Sequence, residues 1–332
     1  MANPKKMKTI KEFKKFKRFN LVKFAVPIIE RLCPFGKSRG IKTPRKDYSN
    51  EYFFICLLDF VDTVVSWQKY RGTIDYPIQG KYLNQIHNKF CRAGVYDQIL
   101  KELTEKYLSR EREDKIKIQI IDSSFVANKQ GDVIESDSLL SAYEVNLNKK
   151  IRKDNKKLPK KERKRERHFV DFNRYNGRKK YIKKDIIVNS YGYILAHNTS
   201  SSKRPDSQSL AEIVKKLPAS LNTKKNSKVN RYKQNFLADS GYSTKANKLL
   251  LEKKGYTPII RFNKRNTKNK TILAQNKMTP KKKQIFKKRY VVEATFAWLK
   301  NRPVINQVYE RSVTSYNGLF ALACSVINSN KI

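Results

Sequence analysis

Three acidic and two basic residues of this sequence have the types and spacing of a phosphodiester-processing site. Glu293 lies four residues after Arg289 and seven before Lys300, and on a helix those separations place the three side chains along one side. With Glu293 alone, a simple salt bridge to Arg289 would be the favoured interpretation. Two further acids change this, because Asp122 and Asp239 each follow a run of apolar residues that predicts a strand.

The chemistry of such a group follows from its charge. Carboxylates brought together repel one another unless a cation lies among them. Hard oxygen ligands suit Mg²⁺ or Mn²⁺, and two such ions about 3.5–4 Å apart can activate an attacking oxygen and stabilise a leaving one. We therefore expect Asp122, Asp239 and Glu293 to hold two Mg²⁺ ions, with Mn²⁺ as the alternative.

Residues 287–301 predict the helix that positions Glu293. Its polar stripe, extended back by one residue, is formed by Phe286, Arg289, Glu293 and Lys300. The neighbouring apolar stripe, which would face a core, is formed by Ile285, Val292, Phe296 and Leu299. Val291 and Trp298 fall on a further face, so we expect the helix to be covered on more than one side.

The segments around the two aspartates predict an α/β fold with a mixed sheet. Strands are predicted within the segments 115–127, 178–189, 192–202, 231–243 and 256–262, and helices at 207–217 and 244–254. The first strand alternates basic and apolar residues and should have one solvated face and end at Asp122. The second and third form a hairpin, the fourth ends at Asp239, and helices pack on the sheet. Asp206 opens a helix, where an acid suits the helix dipole and acts as a cap.

Ahead of this sheet, residues 50–110 have a helical pattern that breaks near Gly94. One apolar face is formed by Ile86, Phe90, Val95, Ile99, Leu100 and Leu103. A small helical domain here suits helix-turn-helix DNA binding, and a plain scaffold or dimerisation element fits equally well. His87 is the only histidine on these helices and is interpreted as structural.

The charge balance indicates a polyanionic partner. The chain has 74 Lys and Arg against 29 Asp and Glu, a formal charge of +45. Nucleic acid is the first candidate, since each neutralised phosphate releases a counterion. An anionic membrane surface is second, and a ribosome-associated protein would also fit. Residues 1–49 form a basic arm, interpreted as a solvated tail or as a segment lying along phosphates.

A second basic segment interrupts the predicted sheet. Residues 144–168 are an insertion, and residues 149–167 contain twelve Lys or Arg and three acids. We expect an exposed segment outside the core, as a solvated loop, a phosphate contact or a nuclear-localisation-like signal. Residues 263–283 are predicted to be a basic loop.

The cysteines and the hydropathy limit the cellular compartments in which the protein is expected. The four cysteines show no C-x-x-C pair, which indicates reduced thiols and no zinc site. No apolar run reaches about 18 residues and no signal-like segment opens the chain, so secretion and membrane spanning are not expected. The protein is expected in the cytoplasm with the nucleoid in a bacterium, and in the nucleus or a viral factory otherwise.

These motifs together resemble those of DDE transposases of the bacterial insertion-sequence type, the superfamily that includes insertion-sequence families four and five. The family signature Y-(2)-R-(3)-E-(6)-K is matched by Phe286-(2)-Arg289-(3)-Glu293-(6)-Lys300. IIDSSFV around Asp122 and LADSGYS around Asp239 are similar to its other two acid motifs. The tail at 302–323 and the helical region at 67–100 also resemble family segments, so the resemblance covers roughly residues 60–325.

The resemblance implies a fold and an activity. The fold would be an RNase H-like mixed sheet flanked by helices, in a catalytic domain at residues 111–325 that follows the small helical domain. The activity would be metal-dependent cleavage at transposon ends and strand transfer, by a homodimer or larger assembly on terminal inverted repeats and target DNA. A domesticated transposase that only binds DNA, or an RNase H-fold nuclease or resolvase, are the alternatives.

The resemblance also implies roles for individual residues. Asp122, Asp239 and Glu293 would be the catalytic metal ligands, and DNA would be contacted by Arg289, Lys300, Phe286 and Arg311. Phe286 replaces the signature tyrosine, which removes a hydroxyl but keeps a ring that can stack, so a modest effect is expected. Glu293 follows Asp239 by only 54 positions, which leaves no room for the large β insertion of some relatives.

Overall fold

The structure is a computed structural model that describes most of the 332-residue chain. The described residues are 19–34, 49–63, 66–73, 75, 77–110, 116–128, 140, 142–159, 161–164, 166, 171–172, 180–218, 221, 234–262, 274 and 277–331. The predictions for residues 1–18, 35–48 and 263–273 therefore lie outside the described residues.

The elements follow one another in an order that starts with helices. The first part contains α1 (19–32), α2 (Asn50–Thr63), α3 (Gly80–Arg92) and α4 (Val95–Arg110). The middle part contains β1 (Ile118–Asn128), α5 (Ala142–Asn155), β2 (Asp171–Phe172), β3 (Lys180–Asn189), β4 (Ile194–Ser201), α6 (Asp206–Lys215), β5 (Gln234–Ala238), α7 (Lys245–Lys253) and β6 (Tyr256–Ile260). The last part contains α8 (Pro280–Lys287), α9 (Tyr290–Lys300), α10 (Pro303–Asn306), β7 (Gln307–Val308) and α11 (Val313–Ser329).

The chain divides into two compact units. The helical unit comprises Met1–Arg112, Thr295–Asn306 and Thr314–Ile332, and the sheet unit comprises Glu113–Ala294 and Gln307–Val313. The C-terminal helix α11 thus belongs with the N-terminal helices, although almost the whole sheet separates them in sequence.

The helical unit has the break and the buried face that the sequence predicts. Helices α3 and α4 are separated at Gly94, which has a φ of +68°, a conformation that suits glycine because it lacks a Cβ. The six residues of the predicted apolar face are all buried.

His87 is a structural residue at the centre of this unit. Its side chain is fully buried, with Nδ1 2.9 Å from the Tyr96 hydroxyl and Nε2 3.0 Å from both the carbonyl and hydroxyl oxygens of Ser315. Burial lowers the pKa of His87 to about 4, because the charged imidazolium is poorly solvated there. A neutral, hydrogen-bonded histidine of this kind supports packing, as predicted.

The sheet unit is built on a seven-stranded mixed sheet. Its path is β2-β3-β1-β5-β6, and β4 pairs with β3 while β7 pairs with β1. Strands β3 and β4 form the predicted antiparallel hairpin, and β1 is antiparallel to β3. Strand β5 is parallel to both of its neighbours, β1 and β6. This order and these directions confirm the RNase H-like sheet.

Strand β1 differs from the prediction in length and burial. It continues for six residues beyond Asp122, to Asn128, so this acid lies in the middle of the strand. The added residues pair with β3, from Ser123 opposite Asp185 to Ala127 opposite Tyr181. Gln119 and Ile120 are both fully buried, so neither face of the first half is solvated. Polar residues could extend the strand because β3 offers them partners inside the unit.

The first residues of α7 and α6 test the predicted helix starts. Thr244 caps α7, since its hydroxyl accepts a hydrogen bond from the Asn247 amide, and the following turn contains Gly255 at a φ of +88°. Asp206, by contrast, does not cap α6. The N-cap is Pro205, which makes no side-chain cap bond, and Asp206 is the first helical residue.

The basic insertion is exposed but partly helical. Residues 149–155 form the second half of α5, where the cations face solvent and Ile151 is buried. Arg152 pairs with Glu166 at 2.7 Å. The predicted exposure is confirmed for the described Lys and Arg residues, whereas Glu144, Asn148 and Ile151 are buried. Residues 160, 165, 167 and 168 lie outside the described residues.

The helix predicted at 287–301 is two helices. Between α8 and α9 the hydrogen bonds change to the shorter i to i+3 pattern, from Lys288 to Ile285 and from Val292 to Arg289. None of the residues of α8 is buried, so no core contact extends α9 backwards. Residues 280–283, predicted as loop, are part of α8.

Helix α9 is covered on one side only. Its apolar stripe is confirmed for Val292, Phe296 and Leu299, which are buried, whereas Ile285 lies on α8 and is only half-buried. On the further face, Trp298 is 46% exposed and Val291 is only partly buried, so the expectation of a second covered face is not met.

All four cysteines are thiols, with Cys56 and Cys324 buried and Cys33 and Cys91 partly buried. Within the described ranges, no helix combines the length and the apolar character needed to cross a bilayer.

Candidate active site

The three predicted acids converge on the guanidinium of Arg289. Its Nη2 lies 3.4 Å from Asp122 Oδ2 and 3.9 Å from Glu293 Oε1, and its Nη1 lies 3.4 Å from Asp239 Oδ1. All four residues belong to the sheet unit. The tertiary structure therefore brings together carboxylates that are far apart in the sequence, around one cation.

The pairing of β1 with β5 places the two aspartates side by side. Ile120 is the register partner of Leu237 in this parallel pair. Two residues further along each strand are Asp122 and Asp239, and residues i and i+2 of a strand point to the same face. Asp239 directly follows β5, where its Oδ1 accepts a hydrogen bond of 2.6 Å from the Ser240 amide.

Glu293 reaches the same point from a helix. It lies in the first turn of α9, four residues after Arg289, which occupies the turn between α8 and α9. Its side chain is 64% exposed, compared with 52% for Asp239 and 21% for Asp122. The group is thus open on the side of Glu293 and closed on the side of β1.

Asp122 is the acid with the strongest electrostatic perturbation. Burial raises its pKa to about 6. The Ser123 amide, which donates to Asp122 Oδ1 at 2.8 Å, and the charge of Arg289 oppose this rise, while the charges of Asp239 and Asp206 add to it. A carboxylate whose charge is disfavoured by burial and by other acids has a strong preference for a nearby cation.

The donor set suits a hard divalent cation, although the side chains do not enclose one as they stand. All donors are carboxylate oxygens, as Mg²⁺ and Mn²⁺ prefer. In the described part of the chain, no three acid, histidine or cysteine side chains are close enough together to hold a metal ion. The Arg289 guanidinium lies among the three acids, so its displacement would be needed for metal binding.

Phe286 provides a ring for two guanidinium groups. The Cζ of Arg289 lies 5.8 Å and the Cζ of Arg261 4.7 Å from its ring centre, within the range of cation–π attraction. The Phe286 side chain therefore sits beside the acids, as the signature spacing predicts, and helps to hold both arginines.

Arg261 is a site residue that sequence reasoning missed. Ala238 is paired with Ile260 in the parallel pair of β5 and β6, so the next residues along the two strands are Asp239 and Arg261. The signal in the sequence was an arginine near the end of the strand predicted at 256–262. Its position beside Asp239 follows only from the register of β5 and β6.

Lys300 and Arg311 are the remaining residues that were predicted to contact DNA. Lys300 ends α9 within the helical unit and is half-buried, and burial lowers its pKa. Arg311 is exposed in the bend between β7 and α11. Their contact with DNA stays a prediction.

Comparison with known proteins gives one extensive match. The family described as Transposase DDE domain matches residues 113–326, which include all three acids, Arg289 and Arg261. No curated protein matches the sequence.

Three solved structures show weak similarity to the chain. A pre-cleavage Mos1 transpososome shares 11% sequence identity, with a TM-score of 0.24 over 80% of this chain and 81% of that chain. A Mos1 transposase paired-end complex with left transposon end shares 11% identity, with a TM-score of 0.23 over 81% and 83%. A Mos1 mariner paired-end complex with Mn has the same identity and TM-score over 82% and 83%. Similarity at this level supports no conclusion about site or partner.

Proposed function

This chain belongs to the DDE transposase family, and we propose that it cuts DNA at transposon ends and joins the freed ends to target DNA. The convergence of Asp122, Asp239 and Glu293 on one point supports this proposal most directly. Three carboxylates around the single guanidinium of Arg289 leave two negative charges that this guanidinium does not compensate, and acids repel one another. Their meeting is explained by a cation that they share during the reaction.

The residues would divide the work as follows. Asp122, Asp239 and Glu293 would hold two divalent cations, Mg²⁺ or Mn²⁺, which supply the charge that activates the attacking oxygen and stabilises the leaving one. Asp122, which lies within β1, would hold a cation from the buried side of the site. The exposed Glu293 would hold it from the side of α9. The guanidinium of Arg289 would then be released from the acids and become available to a DNA phosphate.

Two chemical steps use this one site. In the first, a water oxygen bonds to phosphorus at the transposon end, and the bond to the 3′-oxygen breaks to leave a 3′-hydroxyl. In the second, that hydroxyl bonds to phosphorus of the target DNA, and a target 3′-oxygen leaves. Each step breaks one phosphorus–oxygen bond and forms another, so no oxidant or nucleotide cofactor is needed.

DNA is the partner that this charge distribution suits. A chain of charge +45 binds phosphates with release of counterions, and Arg289 and Arg261 place two cations beside the acids. Arg289, Lys300, Phe286 and Arg311 would contact the DNA near the cut strand. Because both transposon ends must be held together, a homodimer or larger assembly on terminal inverted repeats is expected.

The decisive experiment separates cleavage from binding. Asp239→Ala and Glu293→Ala should each abolish Mg²⁺-dependent cleavage of DNA that carries the element's own ends. Salt-sensitive DNA binding, measured by gel shift, should remain. Glu212→Gln, which alters an acid of the sheet unit that pairs with Arg204, is the matched control and should cleave normally.

Two outcomes would refute the proposal. Cleavage retained by Asp239→Ala in Mg²⁺ would show that this acid is not a metal ligand. Cutting of branched DNA without joining of ends by the unaltered protein would instead indicate a nuclease or resolvase.

A further inference from the structure

The sheet unit contains a buried lysine that is paired with an aspartate. The side chain of Lys183, on β3, is 1% exposed, and its Nζ is 2.5 Å from Asp206 Oδ1. It also donates to the Arg204 carbonyl oxygen at 2.8 Å. A charge taken out of water is costly unless it is paired, so Lys183 depends on Asp206, and Asp206 is held firmly in return.

Asp206 contacts the segments that carry both catalytic aspartates. The Ser123 hydroxyl donates to Asp206 Oδ1 at 3.0 Å, and Ser123 is the residue whose amide donates to Asp122. On the other side lies the turn that follows Asp239. A Cβ added to Gly241 would be only 2.7 Å from Asp206 Oδ2, so the carboxylate packs directly on that turn.

The helix that carries Asp206 is fixed by further contacts. The Ser209 hydroxyl donates to Oδ1 of the buried Asp185 on β3 at 3.2 Å, and the Asn247 side chain donates to the Ser207 carbonyl at 2.9 Å. The first turn of α6 is therefore tied to β3 and to α7. Asp206 cannot move far without moving these elements.

We propose that Asp206, paired with buried Lys183, is a positioning residue that sets the separation of Asp122 and Asp239 and thereby their joint affinity for divalent cations. This inference rests on the proposed function of those two acids as metal ligands. Asp206 acts through Ser123 on one side and through Gly241 on the other, and does not itself touch the reacting DNA. Outer partners of metal ligands commonly change metal affinity by about 10- to 100-fold when altered.

The test measures metal binding in the full-length protein without DNA. The variants are Asp206→Asn and the double variant Lys183→Met with Asp206→Asn, and the probe is Mn²⁺ followed by electron paramagnetic resonance. Asp206→Asn leaves a buried lysine unpaired, so it should also lower the unfolding temperature. The double variant removes both charges and should recover much of that stability, while its Mn²⁺ affinity stays about tenfold or more below that of the unaltered protein.

The control lies on the same helix. Glu212→Gln breaks the pair with Arg204, at 2.5 Å, and should lower stability without changing Mn²⁺ affinity. If Asp206→Asn fails to fold, the double variant alone decides. An Mn²⁺ affinity in the double variant equal to that of the unaltered protein, or no lower than in Glu212→Gln, would overturn the inference.

Failure of this inference can be told from failure of the proposed function. If Asp239→Ala loses Mn²⁺ binding but the double variant does not, the acids are metal ligands and Asp206 is only a structural ion pair. If Asp239→Ala keeps full Mn²⁺ binding, the assignment of the metal ligands is wrong and the positioning role falls with it.

Discussion

Arg289 Nη2 and Asp122 Oδ2 lie 3.4 Å apart, although the two residues are separated by 167 positions in the sequence. The same guanidinium reaches Asp239 and Glu293. In the metal-free protein, an arginine thus neutralises the acids that are assigned to metal. The guanidinium of Arg289 and a dissolved divalent cation therefore compete for the same carboxylate oxygens.

Arg289→Ala should bind Mn²⁺ more tightly than the unaltered protein, by roughly threefold or more, because partly exposed ion pairs of this kind are worth up to about 1 kcal/mol each. DNA cleavage should nevertheless fall, since a phosphate contact is lost. Titration of Mn²⁺ without DNA, followed by a cleavage assay, separates the two effects. Arg289→Lys keeps the charge and should show no such gain. Weaker Mn²⁺ binding in Arg289→Ala would show that this arginine organises the acids instead of competing for them.

Asp122→Asn should stabilise the metal-free protein at neutral pH. The folded pKa of Asp122, about 6, lies above its ordinary value of 3.8, so the folded protein holds this proton more tightly than the unfolded chain. The resulting contribution to stability is complete below pH 3.8 and is lost as the pH rises through 6. Asparagine has no proton to lose in this pH range, so Asp122→Asn keeps this contribution to stability. The variant should therefore be more stable than the unaltered protein by roughly 3 kcal/mol above pH 6.

Urea unfolding in EDTA at pH 7.5 and pH 4 measures this difference. The gain should be large at pH 7.5 and nearly absent at pH 4, and cleavage should be abolished at both. A variant that is less stable at pH 7.5 would mean that the pair with Arg289 outweighs the burial of Asp122.

Phe286 variants test whether the ring or the missing hydroxyl matters. Phe286→Tyr keeps the ring near Arg261 and Arg289 and should change DNA cleavage by no more than about twofold. Phe286→Ala removes the ring from both, and because exposed cation–π pairs are worth about 0.5–1 kcal/mol each, a loss of roughly five- to thirtyfold is expected. Cleavage rates of the two variants under identical conditions decide. A large gain in Phe286→Tyr would show that the family hydroxyl is needed and that this copy is impaired.

Arg261→Ala should weaken binding to all DNA sequences alike, as expected of a phosphate contact. Plotting the logarithm of affinity against that of salt concentration should give a slope smaller by about one. Arg261→Lys retains the charge and should keep the slope. If Arg261→Ala leaves affinity and slope unchanged, Arg261 only packs on Phe286.

The structure corrects the sequence interpretation mainly where contacts are long-range. Helix α9 was predicted to begin before Arg289, because its apolar spacing continues backwards to Ile285 without a glycine or proline. The break at Lys288 depends on α8 having no core to pack against, which no local pattern reports. Asp206 likewise reads as a cap from its position, and only the fold shows its pairing with Lys183.

By itself, the sequence determined the elements whose signals are local and the acids that matter. The strand that ends before Asp239, the hairpin turn, the break at Gly94 and the spacing of Arg289 and Glu293 are all written within a few neighbouring residues, since backbone preferences and hydrophobic periodicity act over that range. Only the tertiary structure decided how closely the three acids meet, that Arg289 lies among them, and that Arg261 and Asp206 belong to the same region. Those facts depend on strand register and on the packing of α6, and register joins residues that lie far apart along the chain.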